Sequence, residues 1–211
     1  MILNVPFYKN DDEGNQCMQV TIKSVLKYFL NKDYSLDELD KLTGRKKGYW
    51  TWTSQIVAVL YDLGLDLKYY SKTDLGPYLQ GEPFIKRHFG KDADKILKFT
   101  DLPVVIESIK KLRGYKIFEK RVLSSREIGK NISKGYVPLM LIDWNKIVGR
   151  QDNYQGHFVI VTGFDNENVF YHESGPKDPE PNKAVPKKIF IEAWDANGTD
   201  NDVVIVYGKR D

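Results

Sequence analysis

The hydrophobic residues in the first half of the chain recur mainly at helical spacing. Between residues 18 and 29, apolar side chains fall at i, i+4, i+7, i+8 and i+11, which is one face of an α-helix. Ser35 and Glu38 have the spacing of a capping box, which predicts a second helix that ends near Thr43, before Gly44. Helices are also predicted over residues 53–63 and 103–112, and a strand over residues 65–70.

The second half of the chain changes to strand-like patterns. Residues 137–142 form an uninterrupted apolar run, which is typical of a buried strand. Residues 157–163 and 169–173 are two more such runs, and the Asp- and Asn-rich residues 165–168 between them predict an antiparallel hairpin. Residues 175–186 contain four prolines and are predicted to form a loop. Shorter predicted elements are strands over 116–118 and 203–207 and helices over 125–134 and 187–193.

A run of helices followed by a run of strands predicts an α+β fold. We expect a single domain over residues 1–211, with a helical lobe at about 1–114, a sheet lobe at about 115–211, and a cleft between them. A chain of 211 residues is long enough to bury a core that needs no disulfide or metal to stabilise it.

The composition fits a folded protein and indicates no strongly charged partner. The 32 Lys and Arg residues nearly balance the 29 Asp and Glu residues, so we expect neither a nucleic-acid partner nor a membrane partner. No apolar run approaches transmembrane length, and the first residues lack the pattern of a signal peptide, so we expect a cytoplasmic protein. One cysteine excludes an intramolecular disulfide, and without CxxC or HExxH motifs we expect no metal and no cofactor.

The position of that one cysteine indicates a reactive thiol. Cys17 begins the first predicted helix, where unpaired N–H groups and the helix dipole favour a thiolate, the form that attacks carbonyl carbons. The acidic residues 11–13 act in the opposite direction if they face the thiol. Taken alone, Cys17 is also explained as a small buried residue at the start of a helix.

A base and an acid complete the pattern. His157 begins an apolar strand, and Glu173 ends the next strand sixteen residues later. A hairpin that turns near Asn166 would bring these two strand ends side by side. The carboxylate would then accept one ring N–H of His157 and fix its tautomer. His172 alternates in direction with Glu173, and we assign it no role.

These residues resemble the C39-like, bacteriocin-processing cysteine peptidases of the papain-like superfamily. The resemblance rests on residues 5–8, on Cys17 at the start of a helix, and on residues 156–165 and 169–173; residues 35–39 also fit the middle of the family pattern. It implies a papain-like fold, in which a nucleophile helix packs on an antiparallel sheet.

The resemblance also implies roles for individual residues. Cys17 resembles the nucleophile and His157 the general base, while Glu173 stands where the family usually has Asp. The oxyanion-binding Gln of the family has no direct counterpart, and Asn10 or Gln16 takes its place. The Gly that follows the cysteine in the family is Met18 here.

Three functions remain open at this point. The first is a peptidase that uses a Cys–His–Glu triad, and the second is an acyltransferase that uses the same thiolate with an amine acceptor. The third is a peptide-binding module without catalysis, which the departures at Asn10 and Met18 suggest. The expected partner is in each case a peptide or an acyl substrate.

An aromatic loop follows the second predicted helix. It contains Tyr49, Trp50 and Trp52. Such side chains either line a substrate groove beside the nucleophile or cover part of the core, and the sequence leaves both interpretations open.

Overall fold

The computed structural model describes residues 1–10 and 15–210. The acidic run at 11–13 therefore lies outside the described residues. Within the described ranges the helices are α1 (Cys17–Leu30), α2 (Leu36–Thr43), α3 (Thr53–Asp62), α4 (Glu82–Phe89), α5 (Ala93–Lys98), α6 (Leu102–Tyr115), α7 (Ser125–Ser133), α8 (Trp144–Ile147) and α9 (Lys187–Trp194). The strands are β1 (Leu65–Ser71), β2 (Phe118–Lys120), β3 (Val137–Asp143), β4 (Gly156–Phe164), β5 (Asn168–Glu173), β6 (Glu180–Pro186) and β7 (Val203–Lys209).

The strands form one seven-stranded sheet in the order β2-β1-β7-β3-β4-β5-β6. Only the short β1–β2 pair is parallel among the described strand pairs. Because β3, β4 and β5 alternate in direction, the end of β3, the start of β4 and the end of β5 lie at the same end of the sheet. At this end of the sheet, His157 pairs with Ile142 of β3, and Glu173 is the last residue of β5.

Helix α1 packs its apolar face against the sheet. Ile22, Val25 and Leu26 are fully buried in the core, as the helical spacing of these residues predicts. The side chain of Thr21 donates a hydrogen bond to the carbonyl oxygen of Phe158 in β4, at 3.4 Å. These contacts fix the start of α1 beside the start of β4, and the chain adopts the predicted α+β class.

Local sequence signals account for several helix ends. Ser35 caps α2 in a reciprocal capping box with Glu38, and Gly44 ends the helix with a left-handed φ of 69°. Ser124 and Glu127 form the same capping box at α7. Both helices therefore begin where their capping residues predict.

Other elements differ from the prediction. The predicted loop over 175–186 is wrong in part, because β6 occupies residues 180–186 at the edge of the sheet, where prolines are tolerated. Strand β1 comes from the first half of the chain but pairs with β7. The expected lobe boundary near residue 114 falls in the last turn of α6. Among the described helices, none is long and apolar enough to span a membrane.

Candidate active site

Cys17 lies at the first position of α1, half-buried between that helix and the start of β4. Burial raises the pKa of its thiol, but the hydrogen bond and the charge of His157 lower it. The backbones of Phe158 and Met18 lower it further, and the net pKa is below the ordinary value of a cysteine. The chain therefore places the thiol where its ionised form is stabilised.

His157 is buried at the start of β4, between the thiol and a carboxylate. Its Nε2 lies 2.8 Å from Oε1 of Glu173. Because Nε2 faces the carboxylate, Nδ1 is the ring nitrogen left for Cys17. Burial lowers the pKa of His157, but its hydrogen bonds to Cys17 and Glu173 outweigh burial, and the pKa is raised. The shifts of Cys17 and His157 favour a thiolate–imidazolium pair.

Glu173 is the least exposed member of this group, with 1% of its side chain accessible. Its Oε1 accepts the N–H of Gly175 at 3.1 Å as well as His157, and its Oε2 accepts the hydroxyl of Tyr171 at 3.2 Å. Burial raises the pKa of Glu173, but the hydrogen bond and charge of His157 bring it below the ordinary value. Glu173 is therefore ionised when it meets the imidazolium.

Asn10 connects the end of β5 to the start of α1. Its backbone N–H donates to the carbonyl oxygen of Ser174 at 2.8 Å. Its side-chain Oδ1 accepts the backbone N–H of Gln16 at 3.1 Å. Because Oδ1 is the accepting end of the amide, Nδ2 is its donating end.

The side chain of Gln16 is held by α2. Its Nε2 donates to Oδ2 of Asp40 at 2.8 Å, and Arg45 binds the same oxygen at 2.7 Å. The amide that the sequence offers as a second oxyanion donor is thus engaged with Asp40, and this contact ties the start of α1 to α2.

The aromatic loop divides between the core and the surface. Trp52 is half-buried, donates from Nε1 to Thr100 at 3.1 Å, and meets Tyr78 edge-on. Trp50 is 44% exposed and stacks on Phe99 with ring centroids 5.3 Å apart, and Tyr49 is 37% exposed. The core interpretation therefore holds for Trp52, while Trp50 and Tyr49 present aromatic surface.

This loop also lies against the first turn of α1. The side-chain Nε2 of Gln19 donates to Thr51 at 3.0 Å and to Thr43 at 3.2 Å. Thr51 is the residue between Trp50 and Trp52, and Gln19 is two residues after Cys17. The exposed aromatic residues therefore belong to a segment that is hydrogen-bonded to α1.

His172 lies on the other face of β5 from Glu173 and does not join the site. Its Nδ1 accepts the backbone N–H of Asn182 at 3.1 Å, so its Nε2 carries the proton and donates to the carbonyl oxygen of Val5 at 2.9 Å. Burial lowers the pKa of His172. It is a neutral, structural histidine that anchors the N-terminal segment leading to Asn10.

Two groups at the site are not among the residues that the sequence predicts for it. They are the Tyr171 hydroxyl and the Gly175 N–H, both donors to Glu173. The two-residue period of a strand puts Tyr171 and Glu173 on one face, and that period is the signal that could have found the tyrosine. In the part of the chain that the structure describes, no group of three or more His, Cys, Asp or Glu side chains is arranged to bind a metal.

Comparison with known proteins gives one family and several similar folds. A family model described as guanylylate cyclase matches residues 8–206. The peptidase domain of Streptococcus ComA, a bi-functional ABC transporter of a quorum-sensing pathway, superimposes with a TM-score of 0.52 at 14% identity, over 97% of this chain and 98% of that chain. A Bacillus anthracis protein described as a C39-like peptidase gives a TM-score of 0.59 at 12% identity, over 100% and 98%.

A third similar structure is a double glycine motif protease from an AMS/PCAT transporter, in complex with a leader peptide. Its TM-score is 0.50 at 14% identity, over 97% of this chain and 93% of that chain. At these identities the similarity concerns the fold, and it confirms the predicted papain-like α+β architecture. The resemblance to C39-like peptidases thus holds for the fold, whereas the matching family model carries a different description.

Proposed function

This chain belongs to the guanylylate cyclase family, and we propose that it is a papain-like cysteine hydrolase that cleaves peptide bonds. One observation carries the proposal: Cys17, His157 and Glu173 form a hydrogen-bonded row, with 2.8 Å between His157 and Glu173. The pKa of the thiol is lowered and that of the imidazole is raised within this row. This is the arrangement that a thiol nucleophile requires.

The reaction has two halves, formation of an acyl-enzyme and its hydrolysis, and Cys17 and His157 act in both. The thiolate of Cys17 attacks the carbonyl carbon, and a C–S bond forms as the C–O double bond opens to an oxyanion. The backbone N–H of Cys17 and Nδ2 of Asn10 donate to that oxyanion. His157 then transfers its proton to the leaving amine, the C–N bond breaks, and an acyl-enzyme remains. Water, deprotonated by His157, hydrolyses the thioester and restores the thiolate.

The family description names a cyclase, but the groups at this site perform acyl chemistry. A thiolate attacks carbonyl carbon well, and the imidazolium beside it supplies the proton that an amine leaving group needs. The similar structures, whose descriptions name peptidases or a protease, share the fold that carries such a row. Hydrolysis of a peptide bond is therefore favoured over cyclisation of a nucleotide.

The residue after the nucleophile does not obstruct this chemistry. Met18 stands where the C39-like pattern has Gly, but its side chain is 6% exposed and belongs to the core. Of the two departures that suggested a module without catalysis, the one at Met18 therefore has a structural explanation.

The decisive measurement is the pH dependence of alkylation by iodoacetamide. The chain has one cysteine, so every alkylation event reports Cys17. We expect rapid alkylation well below the pKa of about 8.5 of a free thiol. His157→Gln moves the profile towards that value, whereas the matched control His172→Gln, at a buried histidine outside the row, leaves it in place.

Activity is then tested on a peptide library, with product analysis by mass spectrometry. We expect new peptide termini with the parent chain and none with Cys17→Ala. Added amine distinguishes hydrolysis from acyl transfer, because a transferase gives the amide of the acyl fragment. Cyclisation of GTP by the parent chain that survives Cys17→Ala, without any peptide cleavage, contradicts the proposal.

A further inference from the structure

We propose that Tyr171 is a positioning residue of this site, which holds the second carboxylate oxygen of Glu173 and through it controls the charge and orientation of His157. The inference rests on the proposed function, because it concerns the same thiolate–imidazolium pair. Tyr171 itself lies behind the reacting groups and acts only through Glu173.

The geometry places the tyrosine under the carboxylate. Tyr171 and Glu173 are two residues apart on β5, so their side chains leave the same face of the strand. The Tyr171 hydroxyl donates to Oε2 at 3.2 Å. Tyr171 is fully buried, and its ring packs against Phe190 of α9 with centroids 5.7 Å apart. The hydroxyl is therefore held in one place by the packing of its ring.

The two carboxylate oxygens are served differently. Oε1 accepts from Nε2 of His157 and from the N–H of Gly175. Among the hydrogen bonds of the described residues, the Tyr171 hydroxyl is the donor that reaches Oε2. Without it, an oxygen of a buried, ionised carboxylate has lost its partner, which penalises the charged form of Glu173.

This clamp also explains how glutamate replaces the shorter acid of the C39-like pattern. Glutamate has one more rotatable bond than aspartate, and that bond must be fixed for Oε1 to meet His157. Gly175 restrains one oxygen and Tyr171 the other, so the carboxylate plane is determined at both ends. The hydroxyl thereby supplies the rigidity that the longer side chain lacks.

The charged groups that face this pair come from two neighbouring elements, α1 and β6. Cys17 faces His157 from α1, and Lys183 acts on Glu173 from β6. Glu180, also on β6, acts on Tyr171. Lys183 already favours the ionised carboxylate by charge, so removing the hydroxyl tests the hydrogen bond while that charge stays in place.

The test is the iodoacetamide profile of Tyr171→Phe. Loss of the hydroxyl makes Glu173 easier to protonate, so the imidazolium loses its partner at a higher pH. We expect the acid limb to move upwards by about one pH unit, which is an about tenfold slower alkylation on that limb. At about pH 9.5, where a free thiol is also ionised, the rates of variant and parent agree.

Tyr70→Phe is the matched control. Tyr70 is buried in β1 of the same sheet, and its hydroxyl lies 3.4 Å from that of Tyr207, far from Glu173 along the sheet order. It removes one buried, partnered hydroxyl without touching the site, so it lowers the melting temperature but leaves the alkylation profile unchanged. All rates are measured well below the melting midpoint of each variant.

A double-mutant cycle separates positioning from general destabilisation. In the background of Glu173→Gln there is no carboxylate to hold, so adding Tyr171→Phe changes the profile no further. An unchanged acid limb in Tyr171→Phe, or an equal shift in both backgrounds, overturns the inference. A parent protein whose thiol reacts only near pH 8.5 overturns the proposed function instead, so the two failures are distinguishable.

Discussion

Two buried carboxyl groups, those of Glu173 and Asp202, lie at the same end of the sheet, and their pKa values are shifted in opposite directions. Burial raises the pKa of both groups. His157 reverses this effect at Glu173, where the net shift is downwards. At Asp202 the hydroxyl of Thr53 opposes burial only in part, Asp200 adds repulsion, and the pKa rises to about 7. The partner of a buried carboxyl group, more than its depth, decides its charge.

The two groups also have different neighbours in the fold. Glu173 ends β5 and is hydrogen-bonded to His157, whose charge lowers the pKa of the carboxyl group. Asp202 precedes β7 and faces the hydroxyls of Thr53 in α3 and of Ser71 and Tyr69 in β1. Asp202 therefore joins α3 to the sheet, and its protonated form, a donor as well as an acceptor, suits this environment.

The largest expected effect is on catalysis. Glu173→Gln removes the charge that stabilises the imidazolium, so peptide cleavage falls by about a hundredfold or more and the acid limb of alkylation moves to higher pH. Asp202→Asn removes a carboxyl group of similar burial from the same end of the sheet, and it leaves peptide cleavage and the alkylation profile near those of the parent. Equal losses of peptide cleavage in the two variants would show that any buried acid at this end of the sheet supports the site.

The next effect is on stability against pH. The pKa of Asp202 is raised from 3.8 to about 7, so the folded chain binds a proton that the unfolded chain has released, and stability falls as pH rises through that window. Asp202→Asn cannot ionise. We expect it to melt about 4–8 °C above the parent at about pH 8, for a gain of roughly 2 kcal/mol.

The same variant provides its own control at lower pH. At about pH 5 the parent carries a protonated Asp202, so the two melting temperatures converge. A gain that is equal at both pH values would reflect a packing effect of the amide, and the comparison between the two carboxyl groups would lose its electrostatic basis.

The features of the fold and of the site that depend on local signals can be predicted from the sequence. The hairpin between β4 and β5 follows from two apolar runs and an Asp/Asn turn, and that hairpin brings His157 to Glu173. The capping box of Ser35 and Glu38 sets the start of α2. Such signals lie within about twenty residues of chain, where period and turn chemistry dominate.

The remaining features depend on contacts between distant segments. The hydrogen bond that holds the Gln16 side chain is accepted by Asp40, which lies on another helix. The environment of Asp202 follows from the pairing of β1 with β7 across more than a hundred residues of chain. The prolines of residues 175–186 predict a loop, but β6 is an edge strand, and an edge strand tolerates proline. No local pattern encodes these pairings.

The smallest expected effect tests how much Asp200 contributes to the raised pKa of Asp202. Asp200→Asn removes the neighbouring negative charge, which lowers the pKa of Asp202 towards its ordinary value. The stability lost above neutral pH is then reduced, and we expect a gain of about 1–2 °C at about pH 8, less than for Asp202→Asn.

Asp200 also has a positive φ of 51°, a conformation that asparagine adopts more readily than most residues. Asp178→Asn is the matched control, because Asp178 is exposed and has a φ of 50°. A backbone effect raises the melting temperature of both variants at every pH, whereas the charge effect belongs to Asp200→Asn alone and fades by about pH 5. In the Asp202→Asn background the charge effect has no target, so a pH-dependent gain that persists there would assign the raised pKa to burial without repulsion.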